Sequence, residues 1–143
     1  MRDAGSGYSL VLALLAAWAV PAVADENINR PPLNLGMSTA LSGPARSLAI
    51  DMKTGIESYF ARINKEGGVN GRPLHFITLD DGYEPEAAAR NMHILIDEEH
   101  VLAVIGNVGT PTAAVTVPIA TDKKTLLFGA FSGAGMLRET PPN

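Results

Sequence analysis

The sequence predicts an α/β protein, a parallel sheet with helices on both faces. Three observations carry that prediction. Four strand-like segments alternate with three helix-like ones between Leu33 and Ala130, the order of a βαβ fold. The helix-like segments repeat apolar residues at spacings of three and four. The third strand-like segment is apolar throughout, as in strands buried on both faces.

Taken in order, Asp25 to Pro32 is a polar lead-in that ends in Pro31-Pro32. Leu33 to Ala40 (LNLGMSTA) is the first strand, and "LSGPAR" breaks it. Ser47 to Glu66 follows as a long amphipathic helix, with Leu48, Met52, Ile56, Tyr59, Phe60 and Ile63 on one face. "EGGVNGR" stops that helix, since Gly67 and Gly68 can take the left-handed conformation and Asn70-Gly71 is a turn dipeptide. Leu74 to Asp80 is the second strand. Glu84 to Glu98 is the second helix, with Ala88, Met92, Leu95 and Ile96 facing inward and Glu84 and Glu86 at the positive end of its dipole. Val101 to Gly106 is the third strand, Pro111 to about Asp122 the third helix, and Leu126 to Ala130 the fourth strand. "FSGAGMLRETPPN" begins another glycine-rich corner.

Right-handed crossovers put the C-terminal end of every strand on the same edge of such a Rossmann-like sheet. Four corners therefore gather on one rim: Leu41–Pro44, Asp80–Tyr83, Asn107–Pro111 and Phe131–Met136. Open sheets of this kind bind ligands at that rim.

The whole chain narrows what such a rim can do. With 143 residues, 18% of them charged and 46% hydrophobic, it has the length of one globular domain. A formal charge of −4, with Lys123-Lys124 as the longest basic stretch, argues against nucleic acid as a partner. Residues 1–24 read as a signal peptide. Arg2 supplies a thin positive start, Leu10 to Val20 is an unbroken apolar run, and Ala22-Val23-Ala24 suits cleavage after Ala24. That run is about half the roughly 20 residues a membrane span needs, and no other segment is apolar for long enough. The expectation is a mature domain, residues 25–143, that is periplasmic or secreted and does not span a membrane. There are no cysteines, which removes thiol chemistry, cysteine metal sites and disulfides and leaves stability to a packed core.

The corner "GNVGTPTAAV" (Gly106 to Val115) carries the chemistry. Thr110 before Pro111 is a helix-start signal, with the threonine at the N-cap and proline in the first helical position. Exposed N–H groups and the helix dipole favour an anion there, and Gly109 lets a ligand approach the backbone. The plainer reading is that Thr110 caps its own helix and does nothing else. A phosphate loop would need GxxxxGK and then Ser or Thr, and a dinucleotide fingerprint would need GxGxxG where "GMSTALSG" stands. Neither fits, so a carboxylate is the better guest and no cofactor is expected. Asp80-Asp81 suits corner shaping better than a metal or phosphoacceptor role. His75, His93 and His100 lack metal-ligand spacing, and no serine lies in GxSxG. Neither catalysis nor a metal is predicted.

"ALSGPARSLAIDMKTGIESYFARINKEGGVNGRPLHFITLDDGYEPEAAARNMHILIDEEHVLAVIGNVGT" resembles the first lobe of type I periplasmic binding proteins. Within them it is most similar to the branched-chain amino acid and amide-binding branch of ABC importers. The order LSGP, INKEGGVNGR, DD-x-x-x-P, a helix, then IG before a threonine-bearing corner is specific in combination. The resemblance covers about Leu33 to Asn143. It implies two α/β lobes that close on a small carboxylate, with the ligand's carboxylate held by Thr110 beside Gly109 and Thr112. It also implies a ligand ammonium bound at the corner after the fourth strand. The backbone carbonyl there falls on Phe131, and the hydroxyl position on Gly133 with Ser132 adjacent. Leu41 and Ser42 would line the cleft wall, and Tyr83 stands where some relatives place a half-cystine.

Relatives of this kind continue past "RETPPN" into the rest of the first lobe and a second lobe. The resemblance therefore implies a partial N-terminal lobe that is marginal in stability and binds weakly by itself. The function expected is an extracytoplasmic solute-binding protein that captures an amino acid, an amide or another small carboxylate and serves an ABC transporter permease. The alternative is the ligand-binding part of a signalling receptor of the kinase or diguanylate cyclase type.

Overall fold

A computed structural model describes residues 30–138. The signal-peptide reading of residues 1–24 and the cleavage after Ala24 lie outside the described residues. Within them the element order is β1 (Leu33–Thr39), α1 (Arg46–Lys65), β2 (Leu74–Asp80), α2 (Pro85–His93), β3 (Ala103–Ile105), α3 (Thr110–Asp122) and β4 (Leu126–Phe128). Every predicted element is present, with boundaries moved by a few residues. The second helix differs most. Its regular part ends at His93, and a wider turn from Ile94 to Glu98 carries the chain on.

The strands form one sheet in the order β2-β1-β3-β4, and all three pairings are parallel. The chain leaves β1 in one direction to β2, then crosses back over β1 to reach β3 and β4. Right-handed crossovers therefore put α1 on one face and α2 with α3 on the other. The direction reverses between β1 and β3, which is where open α/β sheets part to admit ligands.

The two faces are read from the alternation of side chains along each strand. Toward α2 and α3 point Gly36, Ile77, Leu79, Val104 and Leu127. They meet a core of Met92, Leu95, Val101 and Ala120, and Leu95 and Val104 are completely buried. Burying a leucine of this kind contributes about 1.5–3 kcal/mol. At Gly36 the fit leaves no room for a side chain, since a Cβ would stand 2.9 Å from a Leu95 methyl.

The α1 face is thinner. Phe60 of α1 packs edge-on against Phe76 of β2, with ring centroids 5.5 Å apart. Met52 and Ile56 close over Met37 and Gly106, where a Cβ would come within 2.7 Å of Ile56. Of the helix's residues only Ala49 is fully buried, and Leu48 and Tyr59 of the predicted apolar face stay about half exposed. Leu126 and Phe128 on β4 are 62% and 67% exposed. The apolar run around β3 is thus buried on both sides only in part, and Leu102 just ahead of the strand is exposed as well.

Candidate functional site: a cleft on the carboxyl rim of the sheet

The corner after β3 departs from its sequence reading in one informative way. Helix α3 begins at Thr110, and Gly109 holds the N-cap position with φ 128° and ψ 141°, which a residue with a side chain rarely adopts. No side-chain hydrogen bond caps the helix. Thr110 is therefore not the N-cap, because Gly109 turns the chain one residue earlier. The Thr110 hydroxyl is left free of capping, exposed on the rim, and shares a 3.2 Å hydrogen bond with the Ser132 hydroxyl from the corner after β4. Thr112 points the other way. It is buried, and its hydroxyl donates back to the carbonyls of Val108 (3.1 Å) and Gly109 (3.2 Å).

The corner after β4 is stitched to the corner after β3 by backbone. Phe131 N–H donates to Asn107 C=O at 2.8 Å, and Gly109 N–H donates to Phe131 C=O at 3.1 Å. The Phe131 carbonyl, expected to face a ligand, thus already accepts one bond and keeps its second lone pair. The Phe131 ring is 54% exposed. Between these corners and the start of α1 lies a cleft of about 430 Å³, which falls within the usual range for small-molecule sites. Ala45 and Leu48 of the α1 end, Val108, and Tyr83 supply its apolar walls, with Thr110 and Ser132 as its hydroxyls.

The floor of the rim is polar and buried. The first polar cluster joins β1, β2 and β3: Ser38 hydroxyl donates to Asp81 (2.9 Å), Asn91 donates to Ser38 Oγ (3.2 Å), and Asn107 Oδ1 accepts from Ser38 N–H (3.1 Å). Asn107 thus bridges β1 and β3 with a side chain where their backbone ladder has ended at Gly36 and Val104. Asp80 and Asp81 do shape corners, in two different ways. Asp80 is exposed, and one of its oxygens accepts the N–H groups of Leu41 (2.8 Å), Ser42 (3.2 Å) and Gly82 (2.9 Å). Partial desolvation opposes its ionisation, but the Ser42 hydroxyl and the three N–H groups outweigh it and hold its pKa below the usual carboxylate value. Asp81 is 1% exposed. Burial raises its pKa, against the pull of hydrogen bonds from Tyr83 N–H and Ser38, and the charge of Asp80 adds to the rise.

Of the residues singled out in the sequence, the structure brings Gly109, Thr110, Phe131 and Ser132 together around the cleft. Leu41 lies apart, packed with Ala40, Ala49 and Val108, and Ser42 sits beside Asp80. Tyr83, Leu48, Ala45, Val108 and Ala130 line the cleft without having been named for it. Leu48 was legible only as a core-facing helix residue, and Tyr83 as the end of a rim corner and as the position where some relatives place a half-cystine. Two of the three histidines have side-chain partners: His75 lies 3.2 Å from Asn34, and His93 lies 3.2 Å from Asp97, which Lys123 also holds at 2.8 Å.

A parallel sheet whose rim carries a cleft with two mutually hydrogen-bonded hydroxyls beside a helix start that no side chain caps has the form of a small-molecule site. The chain belongs to the periplasmic binding protein family, which it matches over residues 32–143. It is similar to the chemotactic signal transduction system substrate-binding protein BasB of Halobacterium salinarum, 32% identical over 67% of this chain and 24% of the relative. It is also similar to the leucine-, isoleucine-, valine-, threonine- and alanine-binding protein of Pseudomonas aeruginosa, 25% identical over 80% of this chain and 31% of the relative. A crystal structure of a possible leucine/isoleucine/valine-binding protein from Rhodopirellula baltica superposes with a TM-score of 0.72 and 54% identity, over 76% of this chain and 29% of that one. The chain thus spans a quarter to a third of the length of these relatives, and the described residues form part of one lobe. The relatives are solute-binding proteins, members of the family are periplasmic, and no described helix is long and apolar enough to cross a membrane.

Proposed function

We propose that this chain is the ligand-capturing part of an extracytoplasmic solute-binding protein, and that it takes an amino acid, an amide or another small carboxylate for an ABC importer. The observation that carries the reading is the Thr110 hydroxyl. It is exposed, excused from capping its own helix, and set 3.2 Å from the Ser132 hydroxyl at the positive end of α3. The Ser132 hydroxyl, which accepts from Ala134 N–H, can donate to Thr110 Oγ1, and the Thr110 hydroxyl can then donate to a carboxylate that also meets the favourable end of the helix dipole. The relatives named for amino acid binding support the same ligand class.

The test uses the longest reading frame that contains this chain. Thermal shift against amino acids, amides and aromatic acids finds a ligand, and calorimetry then compares the protein with Thr110→Val. Valine keeps the shape and removes the hydroxyl, so a lost charge-assisted hydrogen bond should weaken binding by about 1.5–3 kcal/mol. Unchanged affinity would remove Thr110 from the site.

The sensing alternative has one observation in its favour, the chemotactic relative. A transmembrane helix followed by a kinase or cyclase domain in the same reading frame would decide for it.

A further inference from the structure

We propose that Tyr83 is the specificity-determining residue of the cleft, a fixed aromatic wall that, together with Phe131, selects carboxylates whose body is flat and aromatic. The proposal rests on the carboxylate reading of the Thr110 corner and names the class of ligand that corner would hold.

Tyr83 is mounted more firmly than a loop tyrosine needs to be. Its backbone is left-handed, with φ 72°, a conformation that costs a bulky residue free energy and persists only where the surroundings impose it. Its N–H donates to Asp81 Oδ1 at 2.9 Å, and Asp81 is itself buried and held by Ser38. Its ring lies against Gly109, so close that a Cβ at Gly109 would stand 2.7 Å from the ring edge. It also packs on the small cluster of Ala40, Ala49 and Val108. With its backbone, amide and ring all committed, the side chain loses little freedom when a ligand arrives.

The same residue is open on its other side. It lines the cleft, and no hydrogen bond to its phenol oxygen is found among the described residues, nor is that oxygen one of the buried unpaired atoms. Phe131, 54% exposed, lines the same cleft. The loop after β2 and the loop after β4 thus each bring one aromatic residue to the cleft that Gly109 and Thr110 line. Aromatic pairs prefer offset or edge-to-face contact, and each good pair favours binding by roughly two- to tenfold beyond its area.

Charge points the same way. Among the described residues no side chain lining the cleft carries a full charge, so this wall offers no counter-charge to a ligand ammonium. A flat carboxylate without an ammonium group fits the hydroxyls and the rings and leaves no cation unpaired.

The experiment measures benzoate, phenylacetate and L-leucine by calorimetry, in the longest reading frame containing this chain, for the unaltered protein, Tyr83→Phe and Tyr83→Leu. The unaltered protein should prefer the two aromatic acids. Y83L should lose about tenfold for them with little change for L-leucine, and Y83F, which keeps the ring, should keep the preference. An unaltered protein that favours L-leucine, or a Y83L variant that shifts all three ligands equally or none, would overturn the proposal. Should Y83L not fold, nuclear Overhauser contacts between bound benzoate and the Tyr83 ring of the unaltered protein decide the matter, and their absence sinks it. Failure to bind any of the three ligands would overturn the aromatic preference, and the carboxylate reading would then stand or fall on Thr110→Val with the ligand that thermal shift finds. If Thr110→Val weakens all three while Y83L changes no ratio, the carboxylate reading stands and only the role of Tyr83 falls.

Discussion

The two faces of the sheet are covered to different depths. On one, α2 and α3 close over Gly36, Val104 and Leu127, and Leu95 reaches the backbone of β1. On the other, α1 alone lies across β1, β2 and the start of the rim, and Phe128 and Leu126 of β4 stay exposed. The difference follows from topology. Two crossovers run toward β4 on the first face, while a single crossover runs toward β2 on the second. A sheet face costs free energy wherever apolar side chains stay in water, so the covered face should carry most of the stability and the α1 face should tolerate change.

The largest effect should separate Leu95 from Phe128. Leu95→Ala should cost about 2–5 kcal/mol in urea denaturation, as large-to-small changes do in filled cores. Phe128→Ser should stay within about 0.5 kcal/mol, as surface changes usually do. Equal losses would mean that the β4 side of the α1 face is covered after all.

Two glycines sharpen the same contrast at smaller scale. Gly36→Ala should destabilise by about 1–3 kcal/mol, because its Cβ meets the Leu95 side chain at 2.9 Å and the core must shift. Gly55→Ala, in the middle of α1 with nothing within 4 Å of its Cβ, should instead stabilise by about 0.5–1 kcal/mol through helix propensity. Chemical denaturation of both variants would show opposite signs.

The smallest effect lies in the adjacent carboxylates, which belong to opposite faces. Asp80 continues the α1 side of β2, and Asp81 turns toward Ser38 and α2. The folded pKa of Asp80 is lowered, so its contribution is present above the ordinary value of 3.8 and is lost as pH falls through the lowered one. The folded pKa of Asp81 is raised, so its contribution is present below 3.8 and is lost as pH rises through the raised value. Urea melts from acid to neutral pH should therefore change slope in opposite senses in Asp80→Asn and Asp81→Asn. Matching slopes would erase the distinction between the two sides of the rim.

Much of this is readable in the amino-acid sequence. Apolar spacings in Ser47–Glu66 and Glu84–Glu98 marked the helices, the alternation marked a parallel sheet, and Thr110-Pro111 marked a helix start to within one residue. Gly109 was legible as a close-approach position, and its φ of 128° shows why. Tyr83 was not legible as a cleft wall. Nothing local distinguishes it from any other tyrosine after a turn, and its partner Gly109 lies on a different strand's corner.

By itself the sequence determined the order of the elements, the parallel sheet, and the edge on which its corners gather. Those follow from short-range periodicity and from the handedness of crossovers, which any compact packing of these segments obeys. The tertiary structure alone decided which group each hydroxyl meets. Thr110 and Ser132 are 22 residues apart, and Ser38 and Asp81 are 43 apart. A hydrogen bond is chosen over a few ångströms of space, and distance along the chain carries no trace of that choice until the sheet has assembled.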